Sequence, residues 1–300
     1  MTLFSVIIPH YNSVAQLIRL IKSIPADTSV QLIVVDDKST ENTAEAERTV
    51  NLRGGVFLHN TTDVKGAGTC RNLGLKQAHG KWLVFADADD YFLNGAFDVL
   101  KEYRDAKEDI IYFSPISRYS DTGEAAKRHL PFEKLVHDYA ETSSSNSEML
   151  LRYKFMVPWS KMIRNQTVQE NRITFDEVPA SNDVMFSMKT AYHARTIAAS
   201  SRQIYCVTCA SDTLTTKRSE ANYRARAEVF IDRYHYLKTH LDMKKYGFVL
   251  PSGILFITEA ARQGYSFGFL FQLFIYMKKH RIPMIPYYKM RRLFTRPPGS

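Results

Sequence analysis

The chain has 300 residues, 45% hydrophobic and 24% charged, with 13 glycines and a formal net charge of +9. Such a length and composition suit a folded domain with an appendage and exclude a largely disordered chain. Three cysteines, Cys70, Cys206 and Cys209, are too few and odd in number for a disulfide framework, and fit a reducing cytoplasm.

The opening MTLFSVIIPHYN lacks a basic start and meets Pro9 and Asn12 early, so it reads as the first strand of a domain and not as a secretory leader. SVIIP (5–9) is a short β-branched run typical of a buried strand. The stretch 14–24 places Val14, Leu17, Ile18 and Ile21 on one helical face, with Ser13 as its expected cap. VQLIVVD (30–36) predicts the second strand, with a helix from about Glu41 capped by Ser39 or Thr40. GVFLH (55–59) predicts the third, GTCRNLGLKQAHG (68–80) a helix closed by Gly80, and KWLVFAD (81–87) the fourth. A helix near 94–106 and a strand at DIIYFSP (109–115) follow. This alternation implies an α/β fold with a mainly parallel sheet and helices on both faces, whose ligands bind beyond the carboxyl ends of the strands. The polar stretch 116–148, ending in ETSSSNSE, reads as a loop, residues 149–216 as mixed structure, and 220–245 as a charged helix. No internal repeat is visible.

Acidic residues collect at the predicted strand ends. Asp36 and Asp37 in VVDDKST read either as turn residues capping the next helix or as acceptors for a ligand N–H such as that of a pyrimidine. In GAGTCRN (66–72), Gly66 and Gly68 would let backbone approach a phosphate at a helix start. The spacing is not G-x-G-x-x-G and does not follow the first strand, so it is no dinucleotide fingerprint. Arg71 and Asn72 lie either on a plain helix surface or, for Arg71, against a base or phosphate. FADADDYF (85–92) crowds Asp87, Asp89 and Asp90 after a buried strand. Residues one apart on an extended backbone point the same way, and two such carboxylates suit Mg²⁺ or Mn²⁺, which completes its shell with water and phosphate oxygens. A cation there would offset the repulsion. Cys206 and Cys209 form C-x-x-C inside the strand-like QIYCVTCAS, which favours buried inert thiols over zinc or redox chemistry.

In their order, SVIIPHYN, VVDDKST, GAGTCRNLGL and FADADDYF, with the later VPWSKMI (157–163) and SNDVMF (181–186), resemble the family 2 glycosyltransferases of GT-A fold, over residues 3–215. The resemblance implies a catalytic domain at 1–217, with a nucleotide-binding half to about 115 and an acceptor half to 217. A helical basic extension at 218–300 follows. It implies that Pro9, Tyr11 and Asn12 line the nucleotide pocket, that Asp37 bonds the base, most often uracil, with Arg71 nearby, and that Asp87 faces the ribose or metal. It further implies that Asp89 ligates the metal (Mn²⁺ or Mg²⁺), that Lys161 lies near the donor, and that Asp183 is the catalytic base. The family's acidic pair is Asn182–Asp183 here, so its first acid is missing, and its W-N-K segment is Trp159–Ser160–Lys161. The Q-x-x-R-W motif and membrane spans of processive synthases are absent. The expected activity is therefore inverting transfer of one sugar from a nucleotide-sugar to a hydroxyl of a glycan or lipid-linked saccharide in cell-surface polysaccharide synthesis. Two alternatives are a sugar nucleotidyltransferase, whose glycine-rich loop should follow the first strand, and a non-catalytic nucleotide-sugar-binding relative.

The charge excess is local. Up to Glu259, the last acidic residue, 32 basic residues face 31 acidic ones; beyond it come eight basic residues and no acid. The chain is thus no general polyanion binder, and nucleic acid is not an expected partner. Residues 247–277 are aromatic and apolar, but their longest charge-free stretch, Gln263–Met277, has 15 residues against the ~20 that span a bilayer. Either this region packs on the domain, or it lies amphipathically in a membrane surface at the inner face of the cell membrane, helped by the seven basic residues from Lys278 to Arg296. The pairing of charge with aromatics favours the second.

Overall fold

A computed structural model describes residues 2–210 and 219–285. The chain divides into two compact units, 1–215 and 216–300.

The first unit is built on an eight-stranded sheet: β1 (Phe4–His10), β2 (Val30–Asp36), β3 (Val56–His59), β4 (Trp82–Phe85), β5 (Tyr91–Phe92), β6 (Ile110–Tyr119), β7 (Lys161–Arg164) and β8 (Ile197–Cys209). Its order is β3-β2-β1-β4-β7-β6-β8-β5. β3, β2, β1 and β4 run parallel, as do β6 and β8, while β7 and β5 are antiparallel to their neighbours. Around it lie α1 (Val14–Lys22), α2 (Ala44–Leu52), α3 (Ala67–Gln77), α4 (Ala96–Glu102), α5 (Leu130–Thr142), α6 (Ser145–Lys154), α7 (Asn165–Glu170) and α8 (Val184–His193). The apolar runs of the central strands are buried on both faces, as a helix-covered parallel sheet requires: Val6, Ile7 and Ile8 of β1 and Ile33, Val34 and Val35 of β2 have no exposed surface. Gly74 brings α3 down onto β1; a Cβ there would stand 2.5 Å from Ile7 Cγ2.

The parallel register sets His10, Asp36 and His59 side by side at the carboxyl edge. Main-chain bonds carry the alignment past the strand ends, from Asp37 N–H to His10 O (2.7 Å) and from Asn60 N–H to Asp36 O (2.7 Å). The acidic turn sits at the same edge because β4 is registered on β1 at Ile7–Phe85.

Three local expectations change. Within the expected loop, residues 130–142 and 145–148 are helical. Phe132, Leu135, Val136 and Tyr139 repeat at helical spacing and face the core. The serines of ETSSSNSE start the next helix, where the Ser144 side chain accepts from Ser147 N–H. Ser13 does not cap α1 with its side chain; Glu41 Oε1 accepts the Val14 N–H instead, at 2.9 Å. Ser39 and Thr40 are not the caps of α2, which begins after Thr43; they are engaged with Asp36 and Asn12. Cys206 and Cys209 are free thiols on β8, raised in pKa first by burial, in keeping with the inert reading.

The second unit holds α9 (Glu220–His240), α10 (Met243–Tyr246), α11 (Gly253–Arg262) and α12 (Phe267–Lys279). Rings of Tyr223, Phe256, Tyr265 and Phe269 meet within it, and the Tyr223 hydroxyl donates to Phe256 O at 2.9 Å.

Candidate active site

A cleft of about 370 Å³ opens at the carboxyl edge of β1, β2 and β4, lined by Pro9, His10, Tyr11, Ser13, Asp37, Ala67, Arg71, Asp87, Ala88 and Asp89. Six residues expected at the site therefore share one cavity: Pro9, Tyr11, Asp37, Arg71, Asp87 and Asp89. Tyr11 is half-exposed at its mouth, with the Lys65 ammonium 3.7 Å from the ring centroid. Asp37 is buried; Asn60 Nδ2 donates to one oxygen and Gly66 N–H to the other, both at 2.8 Å. Each oxygen keeps a lone pair for a further donor.

Asn12 does not line the cleft. Its backbone is left-handed (φ 46°), which asparagine tolerates, and its side chain ties two loops together. It donates to Thr40 Oγ1 (3.0 Å) and accepts the N–H groups of Thr40 (2.8 Å) and Glu41 (3.3 Å). Its part in the pocket is to hold the Pro9–Tyr11 edge in place.

His10, absent from the expected set, is a lining residue. Ser13 N–H donates to its Nε2 (3.3 Å), which assigns the proton to Nδ1, facing Asp36 Oδ1 at 3.0 Å. Burial raises the Asp36 pKa, but the Ser39 hydroxyl and N–H and the His10 ring outweigh it, leaving the carboxylate below its usual range.

The crowded carboxylates have separate partners. Asp90 is buried, accepting Thr208 N–H at 2.7 Å and the Tyr205 hydroxyl at 2.9 Å, while that hydroxyl accepts Asp87 N–H at 2.9 Å. Burial, then the charges of Asp87 and Asp89, push Asp90 up to about 8. Asp87 Oδ1 takes Arg71 Nη2 at 2.6 Å. Protein groups thus meet part of the repulsion, at Asp90 and at one oxygen of Asp87. Among the described residues no cation lies within ion-pair distance of the Asp89 carboxylate, which reaches solvent at the cleft. The surrounding protein and then the charge of Asp87 raise its pKa. No cluster of three His, Cys, Asp or Glu ligands occurs among the described residues. A hard cation held by one or two carboxylates, with water and phosphate completing its shell, needs no such cluster, and Asp89 beside Asp87 fits that donor set.

Asp183 reaches this region through a loop clamped to α3. Asn72 Nδ2 donates to Phe175 O (3.0 Å) and Asn72 Oδ1 accepts Phe175 N–H (2.8 Å). Gly68 admits the loop: a Cβ there would stand 2.2 Å from Asp176 O. Arg71 Nη1 donates to Asn182 Oδ1 at 2.7 Å, so one guanidinium joins the Asp87 turn to the residue before Asp183. GAGTCRN therefore serves loop packing, with Arg71 bridging the two carboxylate segments. Burial raises the pKa of the half-buried Asp183, Arg71 lowers it and Asp87 raises it; the net is upward. Asn182 supplies an acceptor to Arg71 without adding another charge.

Lys161 does not reach the cleft. It is buried to 1% exposure, with Nζ 5.4 Å from the ring centroids of both Tyr112 and Phe155 and long contacts to Ser187 Oγ (3.3 Å) and Phe155 O (3.4 Å). Its reading as a residue near the donor changes to a buried amine behind Asp183. Burial pulls it down to about 7, partly opposed by the charge of Asp183. Between about 7 and 10.5 the unfolded chain holds a proton that folded Lys161 has released, so this group makes stability rise with pH across that window. Lys161→Met is expected to flatten that rise and to raise the melting temperature at pH 7, measured by calorimetry from pH 6 to 10. An unchanged slope would show that Lys161 keeps an ordinary pKa in the fold.

Residues 5–168 match the model of Glycosyl transferase family 2, more than half of the chain. The poly(ribitol-phosphate) β-N-acetylglucosaminyltransferase TarS of Staphylococcus aureus is 26% identical over 208 residues, 67% of this chain and 35% of that protein. The poly(ribitol-phosphate) β-glucosyltransferase of Bacillus spizizenii is 25% identical over 208 residues, 67% of this chain and 31% of that protein. The chain thus spans about a third of the length of these curated relatives. The fold resembles that of TarS 1–349 solved with UDP-GlcNAc, at TM-score 0.63 and 23% identity, covering 83% of this chain and 70% of that one. It also resembles that of the mannosyltransferase PcManGT from Pyrobaculum calidifontis solved with GDP-Man and Mn²⁺, at TM-score 0.52 and 15% identity, covering 96% and 82%.

Proposed function

Because this chain belongs to glycosyl transferase family 2, we propose that it moves one sugar, with inversion, from a nucleotide-sugar to a hydroxyl of a glycan, polyol-phosphate chain or lipid-linked saccharide. The observation that carries the proposal is the Arg71 bridge. It ties the Asp87–Asp89 turn, in a cleft whose other walls include Tyr11 and Asp37, to Asn182 and so to the segment that carries Asp183.

In this reading the Tyr11 ring packs against the base and Asp37 accepts a ring N–H. UDP is the favoured nucleotide, since TarS was solved with UDP-GlcNAc and a pyrimidine suits the Asp37 carboxylate. Asp89, with Asp87, would hold Mn²⁺ or Mg²⁺. That ion, when bound, neutralises charge growing on the leaving diphosphate. Asp183 takes the proton of the acceptor hydroxyl as that oxygen attacks the anomeric carbon. A raised pKa makes it a better base than an ordinary carboxylate. Attack from the face opposite the leaving group is a single displacement, which inverts the centre. The polyol-phosphate acceptors named for the relatives motivate including such a chain among the substrates tested.

The nucleotidyltransferase reading loses its footing at GAGTCRN, where Gly68 and Asn72 are explained by the Asp183 loop. Calorimetric titration of UDP with and without Mn²⁺ tests the proposal. Wild type is expected to bind more tightly with the metal, and Asp89→Ala to lose that increment, about tenfold or more. Metal-dependent binding of GDP or dTDP in place of UDP would overturn the choice of base. Failure of all nucleotides would overturn the transferase reading.

A further inference from the structure

α12 is apolar on both sides. Phe269, Leu273 and Met277 are buried, at 2%, 1% and 0% exposure. On the opposite side Phe267 is 84% exposed, Phe271 56%, Ile275 50% and Phe274 38%. At about 100° per residue, Phe267, Phe271, Phe274 and Lys278 fall within roughly 60° of one another, with Ile275 at the edge of that stripe. A helix apolar all round has a second partner or lies at an apolar boundary. Among the described residues nothing covers this face, yet the helix is well formed: Ser266 Oγ accepts Phe269 N–H at 3.3 Å at its start.

We propose that the outward face of α12 docks on the surface of an anionic bilayer. Two observations select lipid over a second protein chain. First, Lys278 sits on the apolar stripe itself. Against the same face of a second copy its ammonium would be buried without a partner, because α12 carries no acidic residue. At a bilayer the lysine stem runs along the apolar layer while its charge reaches the phosphates. Second, Lys279 and Arg281 follow directly, and the sequence from 286 to 300 adds four basic residues and no acidic one. Aromatic side chains beside clustered cations are the chemistry of an interfacial helix drawn to negatively charged headgroups. The helix lies on the surface and does not cross: among the described residues no helix is long and apolar enough to span a membrane. The inference stands apart from the donor chemistry, because none of these residues lines the cleft.

The test is co-sedimentation of the full chain with vesicles of phosphatidylcholine alone and with phosphatidylglycerol added, alongside UDP titration in vesicle-free buffer. Wild type is expected to bind the anionic vesicles, more weakly as salt rises. The double variant Phe271→Glu, Phe274→Glu should lose about tenfold or more of that binding while keeping its melting temperature and nucleotide affinity. Lys278→Glu with Lys279→Glu should lose the preference for anionic lipid. Three outcomes would overturn the proposal: no vesicle binding by wild type, binding by the double phenylalanine variant equal to wild type, or a wild-type dimer that the phenylalanine changes dissociate. In the last case the face belongs to a second copy.

Discussion

Asp183→Asn is expected to lower kcat about a thousandfold while shifting the donor Kd by less than about threefold. Asparagine keeps the shape of the side chain before α8 and removes only the ability to accept a proton. Asp183 does not line the nucleotide cleft, so donor affinity should survive. The pH profile of the wild type carries a second mark of the same group. A base works deprotonated, so kcat should fall as pH drops through the Asp183 pKa. That limb should lie above the usual carboxylate range, because burial raises Asp183 and Arg71 only partly opposes it. A carboxylate raised by folding contributes stability that is lost as pH climbs through the raised value, so the neutral amide should leave the protein at least as stable near pH 7. Single-turnover transfer and thermal unfolding measure the two effects. Near-wild-type transfer by Asp183→Asn would remove Asp183 from the reaction.

Arg71→Leu is expected to cost about 2–3 kcal/mol of stability and to reduce kcat/KM about a hundredfold or more. The guanidinium holds Asp87 at 2.6 Å and Asn182 at 2.7 Å and lies over the Phe175 ring, 5.3 Å from its centroid. Removing it leaves Asp87 near both Asp89 and Asp183 with that cation gone. The loss is kept below that of a fully buried pair because the Asp87 side chain is 33% exposed. Arg71→Lys separates charge from geometry. It restores a cation but not the fork that spans both partners, so it should recover stability more than rate. Chemical denaturation and steady-state kinetics report the two. If Arg71→Leu matched wild type in both, the bridge would not organise the site.

The local elements followed from short-range signals. SVIIP, LIVVD and KWLVF are apolar runs whose neighbours in sequence already make them strands, and the expected and observed strands differ by a residue or two. Residues 130–142 read as loop because the polar, serine-rich segment after them carries turn and cap signals, while the Phe132, Leu135, Val136, Tyr139 stripe gains its meaning from packing on the core. At the site, Pro9, Tyr11, Asp37, Arg71, Asp87 and Asp89 were legible as strand-end and helix-start residues in motif order, and the cleft gathers all six. His10 was not, since its pairing with Asp36 depends on the β1–β2 register and not on either segment alone.

Chain-local chemistry settled that the first half alternates strand and helix, that acidic residues end the strands, and that the basic excess lies beyond Glu259. These properties depend on residues a few positions apart. Tertiary structure decided the partners. Arg71 meets Asn182 across 111 positions, and Asp90 meets Tyr205 across 115 and Thr208 across 118. It thereby made Asp90 a structural group, Lys161 a buried amine and Asp89 the carboxylate open to a ligand. A side chain's charge and shape are written in its own position, whereas what neutralises or buries it is set by segments that only the packed sheet and its loops bring within a few ångströms.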